Sequence, residues 1–515
     1  MTDPASHPGQ SGLPALSGSP TPTGHPTHAG LPENQPHDGN LSHPETRGIE
    51  LIDDSQRGGR ARDLFPVWAA PNVSVLNFTV GASLILLGLD LWQACLVIVA
   101  GSLPWIFTGI IAVSGPAAGT SGSVITRAIY GIRGNRVIVA FFGWFISAVF
   151  LALNWLASSF MGAELLSQLG FSDPIAGPVL VTMVVAAITV LVAVFGHGLI
   201  LRSYPYVALV LLVIFLLVTA FVLPHVDWAY TPTTNGSALD GLPLWSAASI
   251  GFAILASTPL SYSNSPDLAR YLPRGTKPWR IIAATALGGA LPCIFFTAVG
   301  ALLATGIDTA AMDAGIESAL LALLPAWLGP VFVIGVIINT IALNGMTTYT
   351  ASMAFQSIGV PIRRIPSAIV VGAIGTALTV YLVMSTSLLE AVNLMLQLLV
   401  LISGPTMAVF ATDVIRRRNR YNGADLFDER PGGRFWYTGG WHFPGLAAVV
   451  LGAAVASLFL TNSLWTGPVA AAMGNIDLSV PVSLLVTSGV YVVLSRSSNK
   501  PAALPAKSTT EGAHA

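Results

Sequence analysis

Apolar residues in this chain run in long blocks separated by short polar stretches. A helix that crosses a bilayer needs about 20 mostly apolar residues. Twelve blocks meet that length: 67–89, 91–113, 137–163, 174–196, 204–224, 243–262, 280–304, 321–350, 365–386, 388–412, 443–461 and 478–495. They predict an all-α membrane protein with twelve transmembrane helices, numbered here as spans 1 to 12. The connecting loops are short, so functional chemistry is expected inside the membrane. Residues 1–62 are rich in Pro, Gly, His and Ser and carry no signal-peptide pattern. They are expected to form a disordered tail, as are residues 497–515.

The positive charges sort the loops. All 23 Lys and Arg residues fall in the N-terminal segment, in alternate loops, or after span 12. The intervening loops have none, and 225–242 and 305–320 carry only acids: Asp227, Asp240, Asp308, Asp313 and Glu317. By the positive-inside rule, both termini are cytoplasmic in a multi-pass plasma-membrane protein. A wrong span count would scramble this alternation. Composition agrees: 53% of residues are hydrophobic and only 9% charged, against about 25% charged in a soluble chain. The net charge of −1 says nothing about acidic or basic partners; the bilayer is the expected surroundings, and no nucleic-acid partner is expected. Cys95 and Cys293 lie in apolar runs, with neither zinc spacing nor a disulfide framework. The tail histidines His7, His25, His28, His37 and His43 are irregularly spaced in a low-complexity segment, which favours a solvated tail over a metal site.

Two spans are interrupted. Span 6 runs into Ser257-Thr258-Pro259-Leu260-Ser261-Tyr262, then Pro266, Asp267 and Arg270. A proline leaves backbone groups unpaired, which membrane-depth chain tolerates where it is buried in protein or lines a polar cavity. Span 1 holds Asn77, Thr79, Gly81, Ala82, Ser83 and Gly88 among apolar residues. The two spans sit five apart, as a five-plus-five inverted repeat with two discontinuous helices would place them. Freed carbonyls at such breaks can hold a cation, and half-helix N-termini can face an electron-rich ligand. The plainer reading of Gly81 and Gly88 is tight helix packing.

Three further spans carry polar residues. Span 3 has Phe150, Asn154, Trp155, Ser158 and Glu164. Phe150 and Asn154 are four apart and share a helix face. A ring plane beside an amide suits a flat heterocycle, which stacks on the one and bonds the other; ordinary packing and an interhelical bond would give the same spacing. Span 8 has Asn339, Thr340, Asn344, Thr347, Thr348 and Tyr349, and an amide facing lipid is costly. Span 10 has Glu390, Asn393 and Gln397 on one face. Asp413 before Arg416–Arg418 reads as a structural ion pair or a lipid contact. No Walker loop and no HExxH occurs. The chain is therefore not read as an enzyme, no cofactor is expected, and transport is secondary or driven by a separate partner chain.

Several motifs in order resemble the purine–cytosine permeases of the nucleobase–cation symport-1 family, from about Trp68 to Arg496. They are Trp68-Ala-Ala-Pro-Asn72; Arg127-Ala-Ile-Tyr-Gly131-Ile-Arg-Gly134-Asn135; Pro259-Leu-Ser-Tyr262; Asp267-Leu-Ala-Arg270-Tyr271-Leu-Pro273; Asp413 with Arg417, Arg418 and Tyr421; Tyr437-Thr-Gly-Gly440-Trp; and Gly467-Pro468 through Asp477-Leu-Ser479. The resemblance implies a leucine-transporter fold. Residues 63–412 would form the ten-helix transport core, 413–442 a cytoplasmic loop and 443–496 two peripheral helices.

It also implies uptake of a nucleobase or related heterocycle in symport with H⁺ or Na⁺. The stacking role would fall on Phe150, with Trp155 as the alternative aromatic, and on Tyr262 beside Ser261. The amide roles would fall on Asn154 and Asn344, with Asn339 nearby and Gly81 at the span 1 break. Tyr262 and Phe150 stand where tryptophan is common in the family. The positions of the sodium-coupled members' span 8 hydroxyls read here as Ala342 and Leu343, with Thr340, Thr347 and Thr348 offset. That favours H⁺, with Glu164, Asp267 and Glu390 as carriers and Thr340 kept as an ion-coupling candidate. Allantoin, hydantoins and thiamine-precursor pyrimidines suit the same groups. A membrane receptor that binds the ligand without transport is the rival from another class.

Overall fold

The structure is a computed structural model that describes Glu45 and residues 48–232, 239–307, 316–384, 388–462 and 464–498. Among these residues the regular elements are helices, and extended pairing is confined to two isolated bridges. Ten of the helices are long and apolar enough to cross a membrane: Leu91–Ala118, Ile132–Gln168, Ala176–Phe195, His197–His225, Gly241–Ser261, Pro278–Thr305, Leu328–Ser357, Arg364–Val383, Leu399–Arg416 and Ser479–Arg496. A bent pair, Ala61–Asn72 with Val75–Leu86, falls on span 1, and a shorter apolar helix, Phe443–Ser457, falls on span 11. Each predicted span thus has a helical counterpart. Span 8 is displaced along the chain: it begins at Leu328 and continues to Ser357.

Span 1 is broken, but earlier than its polar residues suggest. Its halves, α1 (Leu64–Asn72) and α2 (Val75–Leu86), meet at 62°. Pro71 in the last turn of α1 has no N–H to give. Val73 leaves helical geometry, and Ser74 caps α2 by accepting from the Leu76 N–H. Gly81 lies mid-way along α2, not at the break. A Cβ there would stand 1.9 Å from the Thr297 carbonyl oxygen of span 7, and one on Gly300 would stand 2.2 Å from the Phe78 carbonyl oxygen. Gly81 is a close-packing residue, as the plainer reading had it.

Span 6 also departs from expectation. The helix Gly241–Ser261 runs through Pro259 without breaking. It ends at Tyr262, and a turn over 263–265 leads to the short helix Pro266–Ala269. The Pro259 carbonyl, in the last turn, is taken by Thr108 Oγ1 at 2.7 Å. The proline removes one helical N–H, yet the helix continues past it to Ser261.

The basic loops collect at one end of the bundle. Arg127 pairs with Glu429 at 2.9 Å, Arg274 pairs with Asp54 at 2.9 Å, and the Gly122 N–H donates to Asp267. The expected tail is packed here as well. Ile52 and Arg57 are buried, and the Arg57 guanidinium donates to the Ile52 and Pro116 carbonyls. The packed chain therefore begins upstream of residue 63. Asp413 accepts from Arg417, Tyr421 and Tyr491, tying the end of span 10 to span 12 as a structural ion pair. The histidines of the tail and the span 10 side chains Glu390, Asn393 and Gln397 lie outside the described residues.

Candidate functional site

One cavity opens beside the span 1 break. Pro71, Asn72, Ser74 and Asn77 of span 1 line it, with Phe150 and Asn154 of span 3 opposite. The end of span 6 contributes Thr258, Ser261 and Tyr262, and span 8 contributes Thr347 and Thr350. The cavity continues toward the arginine-rich end past Gly122, Thr126 and Asp267. Span 3 reaches it through a π-helical stretch, Val139–Phe145, in which Val139 and Gly143 face the cavity. Such stretches bulge a helix where a straight one would not present its residues.

The polar centre is a pair of amides. Asn154 Nδ2 donates to Asn344 Oδ1 at 3.0 Å, and Asn344 Nδ2 donates to the Leu151 carbonyl at 3.0 Å. Asn344 is fully buried and is not a lining residue. Its two hydrogen bonds are spent inside the protein, on Asn154 and on the Leu151 carbonyl. Asn154 keeps an oxygen and a second N–H to offer the cavity.

Aromatic rings frame the other side. Tyr262 stacks on Trp105, centroids 5.5 Å apart at 27°, and meets Trp68 edge-on at 5.0 Å. Both tryptophans are buried, so the tyrosine ring is held on two sides. The Tyr262 position was legible from the span 6 motif. Trp105 was not, because only the packing of span 2 against span 6 brings it near. A second unforeseen contact holds the turn after span 6: Asn264 Nδ2 donates to Thr350 Oγ1 at 2.6 Å.

The other candidates divide. Phe150 and Ser261 line the cavity with Asn154 and Tyr262. Trp155 does not; it is fully buried toward span 4, where its Nε1 donates to Thr189 at 3.3 Å. Asn339 faces the back of the span 1 break, donating to the Ala70 and Pro71 carbonyls, and Thr340 is buried away from the lining. Glu164 is exposed near the far end of span 3 and does not reach the cavity. Asp267 does. Its Oδ1 accepts from the Gly122 N–H at 2.7 Å, while Oδ2 has no hydrogen-bond partner among the described residues. Burial pushes the Asp267 carboxyl up to about 7, against the opposing pull of Arg270 and the Gly122 N–H.

A multi-span helical bundle with one broken span and an aromatic–amide cavity beside the break defines a membrane permease for small solutes, not an enzyme. The chain belongs to the family of permeases for cytosine/purines, uracil, thiamine and allantoin, whose pattern it matches over residues 51–483. It is 26% identical over 471 residues to YxlA of Bacillus subtilis, provisionally named a purine-cytosine permease, covering 87% of this chain and 95% of that one. It is 23% identical over 347 residues to the purine-cytosine permease FCY2 of Saccharomyces cerevisiae, covering 62% and 61%. Its fold is similar to that of Mhp1, a nucleobase-cation-symport-1 family transporter, in a closed conformation with bromovinylhydantoin bound. The TM-score is 0.68 at 18% identity, over 89% of this chain and 96% of that one.

Proposed function

We propose that this permease imports a nucleobase-like heterocycle, of the cytosine or purine kind, in symport with protons. Asn154 carries the reading. Locked by Asn344, it offers one acceptor and one donor to a cavity that Phe150 and Tyr262 also line. A nucleobase edge presents alternating donors and acceptors, and its two faces suit aromatic partners. Ser261 and Thr347 add hydroxyl oxygens; each donates its proton to a carbonyl of its own helix, Thr258 and Leu343, and so offers a lone pair to a ring N–H. On this reading the arginine-rich end is cytoplasmic, by the positive-inside rule, in the plasma membrane. Asp267, on the path from the site to that end, is the proton carrier. Asp267 lines the cavity, one of its oxygens has no hydrogen-bond partner among the described residues, and its affinity lies where a cell's pH can load and unload it. Residues 63–412 are the transport core and 443–496 its peripheral helices.

The test is uptake of radiolabelled cytosine and hypoxanthine into proteoliposomes, with and without an imposed pH gradient. Accumulation that collapses with a protonophore is expected. Binding of either base without accumulation would turn the assignment to a receptor. Uptake of allantoin, a hydantoin or a thiamine-precursor pyrimidine in place of both bases would keep the site and move the substrate.

A further inference from the structure

The last carbonyls of a helix have no partner within it and together carry a partial negative charge. At a break inside a transporter, that end of a half-helix is where a coupling cation is bound through backbone oxygens. In α1 each of these carbonyls is already satisfied by a nitrogen. The Trp68 carbonyl accepts from Asn72 Nδ2 at 2.8 Å, and the Ala69 carbonyl from the Val73 N–H at 3.1 Å. Asn339 Nδ2 donates to both the Ala70 carbonyl, at 3.0 Å, and the Pro71 carbonyl, at 3.2 Å. The Asn72 carbonyl accepts from Asn77 Nδ2 at 2.6 Å. Three side-chain amides and one backbone amide cap the whole end.

Asn339 is the decisive one. It is 2% exposed, on the thirty-residue helix Leu328–Ser357, and it crosses from span 8 to span 1 behind the break. Its two N–H groups put their positive ends where a cation would sit between the Ala70 and Pro71 oxygens. A sodium ion needs several oxygens converging on one point; here two of them converge on a hydrogen-bond donor. The nearest hydroxyl of the predicted set, Thr340, adds no oxygen to the cavity lining. The neighbouring Ala342 carbonyl is taken by the Tyr204 hydroxyl.

We propose that Asn339 is the ion-selectivity residue of this permease: its amide nitrogen occupies, as a neutral built-in donor, the place of a coupling sodium ion at the C-terminal end of α1. The span 1–span 8 bridge is then made by the amide without an ion, and sodium has no part in the cycle. This rests on the symport reading above and deepens it, because it removes the competing coupling ion.

The test is thermal unfolding of the full-length protein purified in detergent, in sodium, potassium and choline chloride at equal ionic strength. The wild type is expected to melt at the same temperature in all three. Asn339→Asp puts a carboxylate against the α1 carbonyls; it is expected to be destabilised in choline and restored specifically and saturably by sodium. A saturable, sodium-specific rise in the wild type would overturn the proposal, since it would mean that the amide turns its oxygen to the ion. The wild-type measurement decides even where the aspartate variant does not fold, and Asn339→Ser offers a milder version of the same gain. Failure of every tested heterocycle to accumulate with a pH gradient, with unfolding indifferent to sodium, would sink the symport reading and leave the role of Asn339 standing.

Discussion

Asn154 and Asn344, 190 residues apart in sequence, share a hydrogen bond of 3.0 Å from the amide nitrogen of the first to the amide oxygen of the second. The geometry gives them unequal roles. Asn154 faces the cavity; Asn344 stands behind it and is also anchored to the Leu151 carbonyl. Asn344→Ala therefore removes no ligand contact, but it leaves Asn154 free to rotate and one of its buried N–H groups unpaired. The loss of such a bond costs about 1–3 kcal/mol, so uptake efficiency should fall roughly 10- to 100-fold at unchanged expression. Asn344→Asp keeps the acceptor for Asn154 and should retain more activity than the alanine. Normal uptake in Asn344→Ala would show that Asn154 needs no anchor.

Asp267 sets the expected pH behaviour. In Asp267→Asn, proteoliposomes should lose accumulation driven by a pH gradient yet keep substrate counterflow, because binding and alternation remain. Stability gives an independent sign. The folded-state affinity is raised from the ordinary 3.8 to about 7 by burial. Between those values the folded protein holds more protons than the unfolded chain, so this group's contribution falls as pH rises across the window and is flat above it. Wild type minus Asp267→Asn, measured as melting temperature from pH 4 to pH 8, should decline through that range. A rise would mean that Arg270 dominates and that the carboxylate is stabilised in place.

Phe150 and Trp155 are both aromatic, both on span 3, and separable by experiment. Phe150 is partly buried and lines the cavity. Trp155 is fully buried, held by Thr189, and packs against Gly375 of span 9. Phe150→Ala should raise KM with little change in melting temperature. Trp155→Ala should cost about 3–5 kcal/mol of stability, the usual penalty for emptying a buried aromatic site, and lower the amount of folded protein. The reverse pattern would exchange their roles.

The spans and their alternating charge were legible because lipid imposes them residue by residue: a span must be apolar, and arginine must leave it. Phe150 and Asn154 were legible as a pair because the helix repeat alone puts them on one face. What could not be read was which side of a polar span faces the cavity. Asn339 and Asn344 look equivalent in the span 8 stripe, yet five residues turn a helix by roughly 140°, so one meets α1 and the other meets span 3. The Gly81 break was misplaced for a related reason. Glycine marks both a broken helix and a close crossing, and only the neighbour, here the Thr297 carbonyl, distinguishes them. Pro259 misled because a proline removes one helical hydrogen bond without having to end the helix, which here runs on to Ser261.

Glu45 closes the arginine-rich end, and its removal should be among the most damaging single changes in the chain. Its carboxylate is 3% exposed, 3.5 Å from Arg270 and 3.7 Å from Arg364, and it accepts from the Tyr271 and Tyr349 hydroxyls and from the His197 N–H. Burial alone would raise its affinity for a proton, but Arg364 and Arg270 outweigh that and hold it below the ordinary value of 4.5. The contribution is therefore present above about pH 4.5 and is lost as pH falls through the lower folded value. Glu45→Gln keeps the shape and the acceptor oxygen but takes the shared carboxylate from two buried guanidinium groups, leaving Arg270 only the more distant Asp267. Breaking a buried pair in this way costs about 3–5 kcal/mol. The variant should melt well below the wild type at neutral pH, and the gap should narrow toward pH 3. Pairing Glu45→Gln with Arg364→Met removes one of the stranded charges and should recover part of the loss. A Glu45→Gln protein as stable as the wild type at pH 7 would mean that the two arginines find other partners, and that the Glu45 carboxylate does not hold the bundle together.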